Sequence, residues 1–178
     1  CDKIMPMTKL FKLIGGLIFR GLMEMLYFTL PRISWKFMYA SADVLGVAFY
    51  RVWPKHRNIT LKNLNLIFGK EKSAQELENI AIQNYKNMMR GVFESLRAPF
   101  FTDEEIKEHF TIEGESHLKD ALAKSKGAIC YSGHWGSFSL LAYILQRKGV
   151  DAHFVLRAPH DPQFRKFHSK VLNDSHAK

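Results

Sequence analysis

Cysteine is scarce in this chain, acidic residues are outnumbered, and neither proline nor glycine clusters; each shortage closes a class of explanation. Only Cys1 and Cys130 occur among 178 residues, so neither a disulfide framework nor a cysteine metal centre can be built from the sequence. Six prolines and 11 glycines are spread out, leaving no linker, low-complexity tract or internal repeat. No serine sits in a G-x-S-x-G elbow: Gly136-Ser137-Phe138 lacks the flanking pattern, which argues against a serine nucleophile of the hydrolase kind. His160, Asp161, Arg165 and His168 lie close in sequence but lack the compact spacing of a zinc site, and no metal is expected. No small-residue cleavage site follows the first apolar run, so a signal peptide is not expected. Cys1 precedes Met5 and Met7, and these first residues are read as lying upstream of a start.

What is present suits a folded domain. Hydrophobic residues make up 47% and aromatics 13%, ample for a core and too apolar for disorder. The formal charge of +9 is uneven: residues 1–70 hold eleven Lys or Arg against Asp2, Glu24 and Asp43, a local +8 that leaves +1 for the rest. Such a region could face nucleic acid or an anionic membrane surface, and its apolar content favours the membrane. From Leu13 to Leu30 the only charges are Arg20 and Glu24, at a helical spacing where they can pair. Eighteen residues is the lower edge of a span, and charges at its centre are costly. An interfacial or shallowly inserted helix is expected, with a single span and a buried bundle helix as the alternatives. Residues 1–56 are therefore read as a membrane-associated helical region, and residues 57–178 as a separate domain.

Pro31 breaks the first helix, and Ile33 to Tyr50 resumes as a second. Asn58 to Phe68 reads as a short helix closed by Gly69. Ser73 with Glu76 forms a capping-box signature for a long amphipathic helix to about Arg97, and another helix starts at Thr102 to Glu105. Apolar runs at 110–113, 127–132 and 152–157 alternate with helical patterns at 115–124, 137–148 and 162–172. That alternation predicts an α/β fold, βαβ units around a mainly parallel sheet. Cys130 would then point into a buried strand.

Between the second run and its helix lies Ser132-Gly133-His134-Trp135-Gly136-Ser137-Phe138-Ser139, a histidine in a glycine-flanked turn at a strand's C-terminal end, where α/β proteins place chemistry. Residue 139 would fall in the first turn of the following helix, where it can meet His134. A histidine with one ring nitrogen so held has a fixed tautomer and can take a proton from a hydroxyl.

This stretch resembles the histidine-plus-acid motif of glycerolipid-type acyltransferases, in the form carried by the late acyltransferases of lipid A biosynthesis. Arg57-Asn58-Ile59-Thr60-Leu61-Lys62-Asn63-Leu64 is similar to that family's arginine and "NL" signature. Phe110-Thr111-Ile112-Glu113-Gly114, with Leu118 and Lys126-Gly127-Ala128, is similar to its lead-in, and Arg157 with Pro162 to its "R, four residues, P" element. Two departures stand out. Ser139 occupies the position of the acid, and Leu172 and Asp174 stand where further arginines would be.

The resemblance implies transfer of a fatty acyl group from an acyl carrier protein or acyl-CoA to a hydroxyl of a membrane lipid acceptor, lipid A or a related glycolipid. It implies no cofactor and no nucleic acid. His134 would be the base, Ser139 its orienting partner, and Arg157 a phosphate or oxyanion holder. Gly133, Trp135, Gly136, Ser137, Phe138 and Arg165 would line the substrate, Trp135 and Phe138 as packing residues or an acyl-chain wall. The implied location is the cytoplasmic face of the bacterial inner membrane, peripheral or single-span. A serine carries no charge to stabilise an imidazolium, so the alternative is a catalytically silent module that binds lipid or carrier protein. Chains of the family continue well past position 178, and a half-built sheet is expected at the C-terminus.

Overall fold

Described in a computed structural model are residues 7–133, 135–153, 155, 160 and 162–176. The order is α1 (Met7–Thr29), a 3₁₀ turn (Leu30–Arg32), α2 (Trp35–Val52), α3 (Pro54–Phe68), α4 (Ala74–Arg97), a second 3₁₀ turn (Ala98–Phe100), α5 (Asp103–His109), α6 (Glu115–Leu122), α7 (Phe138–Arg147) and α8 (Pro162–His176). Local chemistry sets the boundaries. Pro31 turns the chain after α1, and the Ser34 hydroxyl accepts from the Phe37 N–H to start α2. Ser73 with Glu76, and Thr102 with Glu105, form complete capping boxes on α4 and α5.

The centre of the molecule is α4, packed on α2 and α3. Helix α2 presents Met38, Ala42, Gly46 and Tyr50 inward, an i,i+4 stripe whose middle is small. A Cβ on Gly46 would lie 2.7 Å from the Lys86 Cα, so the two backbones pass closer than any side chain allows. Beside this seam Arg90 clamps Asp43 through two bonds of 2.6 and 2.7 Å. One buried cluster joins Tyr27, Leu30, Met38, Ala42, Phe93, Leu96 and Phe167, so that α1, α2, α4 and α8 share a core.

Arg97 is the one buried charged residue among the described residues, at 6% exposure. Its guanidinium donates to the carbonyls of Leu30 (3.2 Å) and Ile33 (2.8 Å) and to Glu105 (2.6 Å), and lies 4.5 Å over the Trp35 ring. Trp35 Nε1 donates to the same Glu105 oxygen at 3.0 Å. One cation thus bonds carbonyls of the turn that follows α1, that of Leu30 shared with the Ile33 N–H, and ties them to the start of α5.

The expected α/β fold with its mainly parallel sheet is overturned: no strand occurs among the described residues. Phe110 and Ile112 pack as connecting residues against the cluster around Phe101 and Tyr143. The 127–132 run forms no strand and makes no backbone hydrogen bond to another segment among the described residues, with Ile129 100% and Tyr131 99% exposed and Cys130 exposed rather than in a core. The 152–157 run lies partly outside the described residues. An extended segment becomes a strand only when a neighbour takes its N–H and C=O groups, and the apolar faces of the helices meet one another instead.

Helix α1 is not a buried bundle helix. Arg20 pairs with Glu24 at 2.8 Å, yet Leu17, Ile18, Leu22, Met25 and Phe28 remain exposed. The segment Leu13–Arg32 is long and apolar enough to cross a membrane, and 11% of it is buried. Helix α2 likewise exposes Phe37, Val44 and Val52 on the side away from α4.

Candidate functional site

The second half of the glycine-flanked turn is held against α4. Ser137 donates its hydroxyl to Glu94, whose other oxygen accepts from the Tyr39 hydroxyl at 2.8 Å. Ser139, at the start of α7, meets Ser95 at 2.7 Å. Ser95 also donates to the Gly91 carbonyl at 2.7 Å; a hydroxyl has one proton, so Ser139 is the donor in the serine pair and its lone pairs stay open as acceptors. Gly91 makes the approach possible, because a Cβ there would sit 3.2 Å from Ser137 Oγ.

A groove of about 290 Å³ runs along this contact. Gly136, Ser137, Phe138 and Ser139 form one wall. Met88, Val92 and Leu96 of α4, Met23 of α1, and Phe167 and Val171 of α8 supply an apolar lining, with His168 at its side. The motif's final four residues thus border an apolar trough whose polar side chains are the hydroxyls of Ser95, Ser137 and Ser139 and the imidazole of His168.

The other sequence candidates are placed as follows. Trp135 is 90% exposed and away from the groove, and Gly133 is exposed, its carbonyl accepting from the Trp135 N–H at 2.9 Å. Arg165 is exposed on α8. His134 and Arg157 lie outside the described residues. Among the described residues no cluster of three or more metal-ligating side chains forms. Asp174, standing where an arginine is expected, accepts from the Tyr27 hydroxyl at 2.5 Å and from Lys170 at 2.9 Å, fastening α8 to α1.

Gly91, Glu94 and Ser95 went unread as site residues. Their signal was faint but present, since small and polar residues interrupt the apolar face of α4 one turn before its end. Burial raises the Tyr39 hydroxyl above its ordinary range, and its bond to the Glu94 carboxylate adds to the effect.

The bacterial lipid A biosynthesis acyltransferase profile matches residues 15–168, from α1 through the groove to α8. The chain belongs to this family. It is 29% identical over 86 residues to the lipid A biosynthesis palmitoleoyltransferase of Escherichia coli K12, covering 48% of this chain and 28% of that one. The same figures hold for a lipid A biosynthesis acyltransferase of Shigella flexneri. The lipid A biosynthesis lauroyltransferase of Escherichia coli K12 is 26% identical over 111 residues, 61% of this chain and 36% of its own. These matches thus span about a third of the relatives' length. No solved structure matches the chain. The hydroxyl of Ser139 is engaged with Ser95.

Proposed function

We propose that the protein transfers a fatty acyl group from a thioester donor, acyl carrier protein or acyl-CoA, to a hydroxyl of lipid A or a related glycolipid at the cytoplasmic face of the inner membrane. The observation that carries this reading is the position of the motif residues 136–139 along an apolar groove in a chain of this family. An alkyl chain seated in the groove would bring its thioester to the motif. His134 takes the proton of the acceptor hydroxyl as oxygen attacks the thioester carbonyl; the carbon–sulfur bond breaks and the thiolate leaves with the proton. Ser139 accepts from the imidazole, and Arg157 holds the acceptor's phosphate or the oxyanion. Exposed apolar residues on α1 and α2, beside Lys36, Arg51 and Lys55, suit an anionic membrane surface.

The test incubates the protein with each thioester donor and a lipid A precursor and follows acceptor mass. Gain of one acyl group, lost in His134→Ala, is the expected result. Transfer retained in His134→Ala would remove that residue from the mechanism. The serine at 139 favours one second reading, a silent lipid-binding module, since neutralising an orienting carboxylate costs about ten-thousand-fold in the serine-protease template. No acyl gain with vesicle binding intact would select it.

A further inference from the structure

The Arg57–Leu64 signature takes no part in the groove, and its helix has two unlike faces. Leu61 and Leu64 of α3 pack on the cluster of Tyr50, Ala81 and Tyr85, and the Arg57 guanidinium lies 5.7 Å from the centre of the Tyr50 ring. These signature residues seat α3 on α2 and α4. On the opposite side Lys55, Ile59, Lys62 and Leu66 follow one another at helical spacing, and all four are exposed. We propose that this outward face of α3 binds anionic phospholipid, as a second membrane contact distinct from α1. It rests on the proposed reading for the membrane alone, not for acyl transfer.

Charge narrows the choice of occupant. From Val44 to Lys70 the chain carries Arg51, Lys55, Arg57, Lys62 and Lys70 and no acidic residue. Among the described residues none of these cations is in an ion pair. The carboxylates of the helices beneath are turned elsewhere, Asp43 to Arg90 and Glu78 to the Tyr50 hydroxyl. Such a field would suit an acidic protein as well as a lipid surface, and the apolar residues among the lysines decide between them. Leu66 is 84% exposed, and at the start of α3 Val52 is 80% exposed beside Trp53, which stacks on Phe49. Tryptophan and branched aliphatics interleaved with lysine suit a helix lying in the headgroup layer, with apolar side chains at the acyl boundary and ammonium groups among the phosphates. The two contacts are also well separated. Helix α1 joins α2 through Met38 and Ala42, α3 joins it through Tyr50, and the exposed Phe37, Val44 and Val52 of α2 extend over about 22 Å between these ends. One seated helix leaves a protein free to swivel, whereas two fix its tilt on the surface.

The experiment puts an environment-sensitive fluorophore on the full chain at Leu66→Cys, with Cys1→Ser and Cys130→Ser removing the other thiols. Vesicles are of phosphatidylcholine alone or with roughly a third phosphatidylglycerol. Sedimentation reports binding by any route, and the probe reports α3. Expected are a blue shift and brighter emission with the anionic vesicles and little change with the neutral ones. Lys55→Gln combined with Lys62→Gln should weaken affinity for anionic vesicles about 10–30-fold at low salt. Ile59→Ser should weaken it about tenfold. Because these positions are exposed, the far-ultraviolet circular dichroism of each variant should match the parent's. Sedimentation with the probe still in water overturns the proposal and leaves α1 as the contact. No sedimentation with either vesicle overturns it together with the membrane part of the proposed reading. A probe shift produced by polyglutamate, or by raising the protein's own concentration, with none from anionic vesicles assigns the face to an acidic protein or a second copy and overturns the lipid.

Discussion

Helix pair α2–α4 and the run from Gly127 to Gly133 are both apolar in sequence, and they have opposite fates. The helices bury Met38, Ala42, Gly46 and Tyr50 against Ala81, Tyr85 and Phe93, whereas Ile129 and Tyr131 stand in solvent. A helix closes its own backbone hydrogen bonds and needs only a neighbour for its apolar stripe. An extended segment needs a neighbour for both backbone and side chains, and none reaches 127–133 among the described residues. Apolar composition therefore decides what can be buried, and backbone pairing decides what is.

Arg97→Ala should break the packed side of this contrast most severely. Removing this buried guanidinium takes the cationic partner from Glu105 and a donor from each of two carbonyls, a loss of about 3–5 kcal/mol in denaturant unfolding. Gly46→Ala comes next, because the added methyl meets backbone rather than a side chain that could turn aside; about 1–3 kcal/mol is expected, although alanine is the better helix former.

Acid should then loosen the same seam. Arg90 holds the Asp43 carboxyl below its usual value of 3.8. Burial alone would raise Glu105 above 4.5, but the Thr102 N–H, Arg97 and Trp35 together hold it below. Groups with depressed folded values stabilise the fold above their unfolded values, and this contribution is lost as pH falls through the folded ones. Thermal midpoints should be flat above about pH 5.5 and fall progressively below about 4.5. On the exposed side, Ile129→Ser and Tyr131→Ser should change stability by no more than about 0.5 kcal/mol. A loss of 2 kcal/mol or more from either, in the same denaturant assay, would show that the 127–133 run is packed in solution and erase the contrast.

Much of the helical skeleton is legible in the sequence because its signals are local. Pro31, the Ser73–Glu76 and Thr102–Glu105 boxes, Gly69 and the Arg20–Glu24 pair each act within one turn, and each is found where its spacing puts it. The sheet is misread because strand periodicity states a preference that only a distant segment can satisfy. The same distance hides half of the candidate site. Ser139 and Ser137 are visible in the motif, but their partners Ser95 and Glu94 are 44 and 43 residues earlier on another helix. No spacing rule links positions so far apart; only the polar break in α4 hints at a second function for that face.

The Arg97 clamp also has a mechanical meaning. Its guanidinium grips carbonyls just past the end of α1, and Glu94 lies about one turn earlier on the same helix. Through that fork the chain just past α1, the end of α4 and the start of α5 share one side chain, so none of the three can shift without breaking a bond to the others.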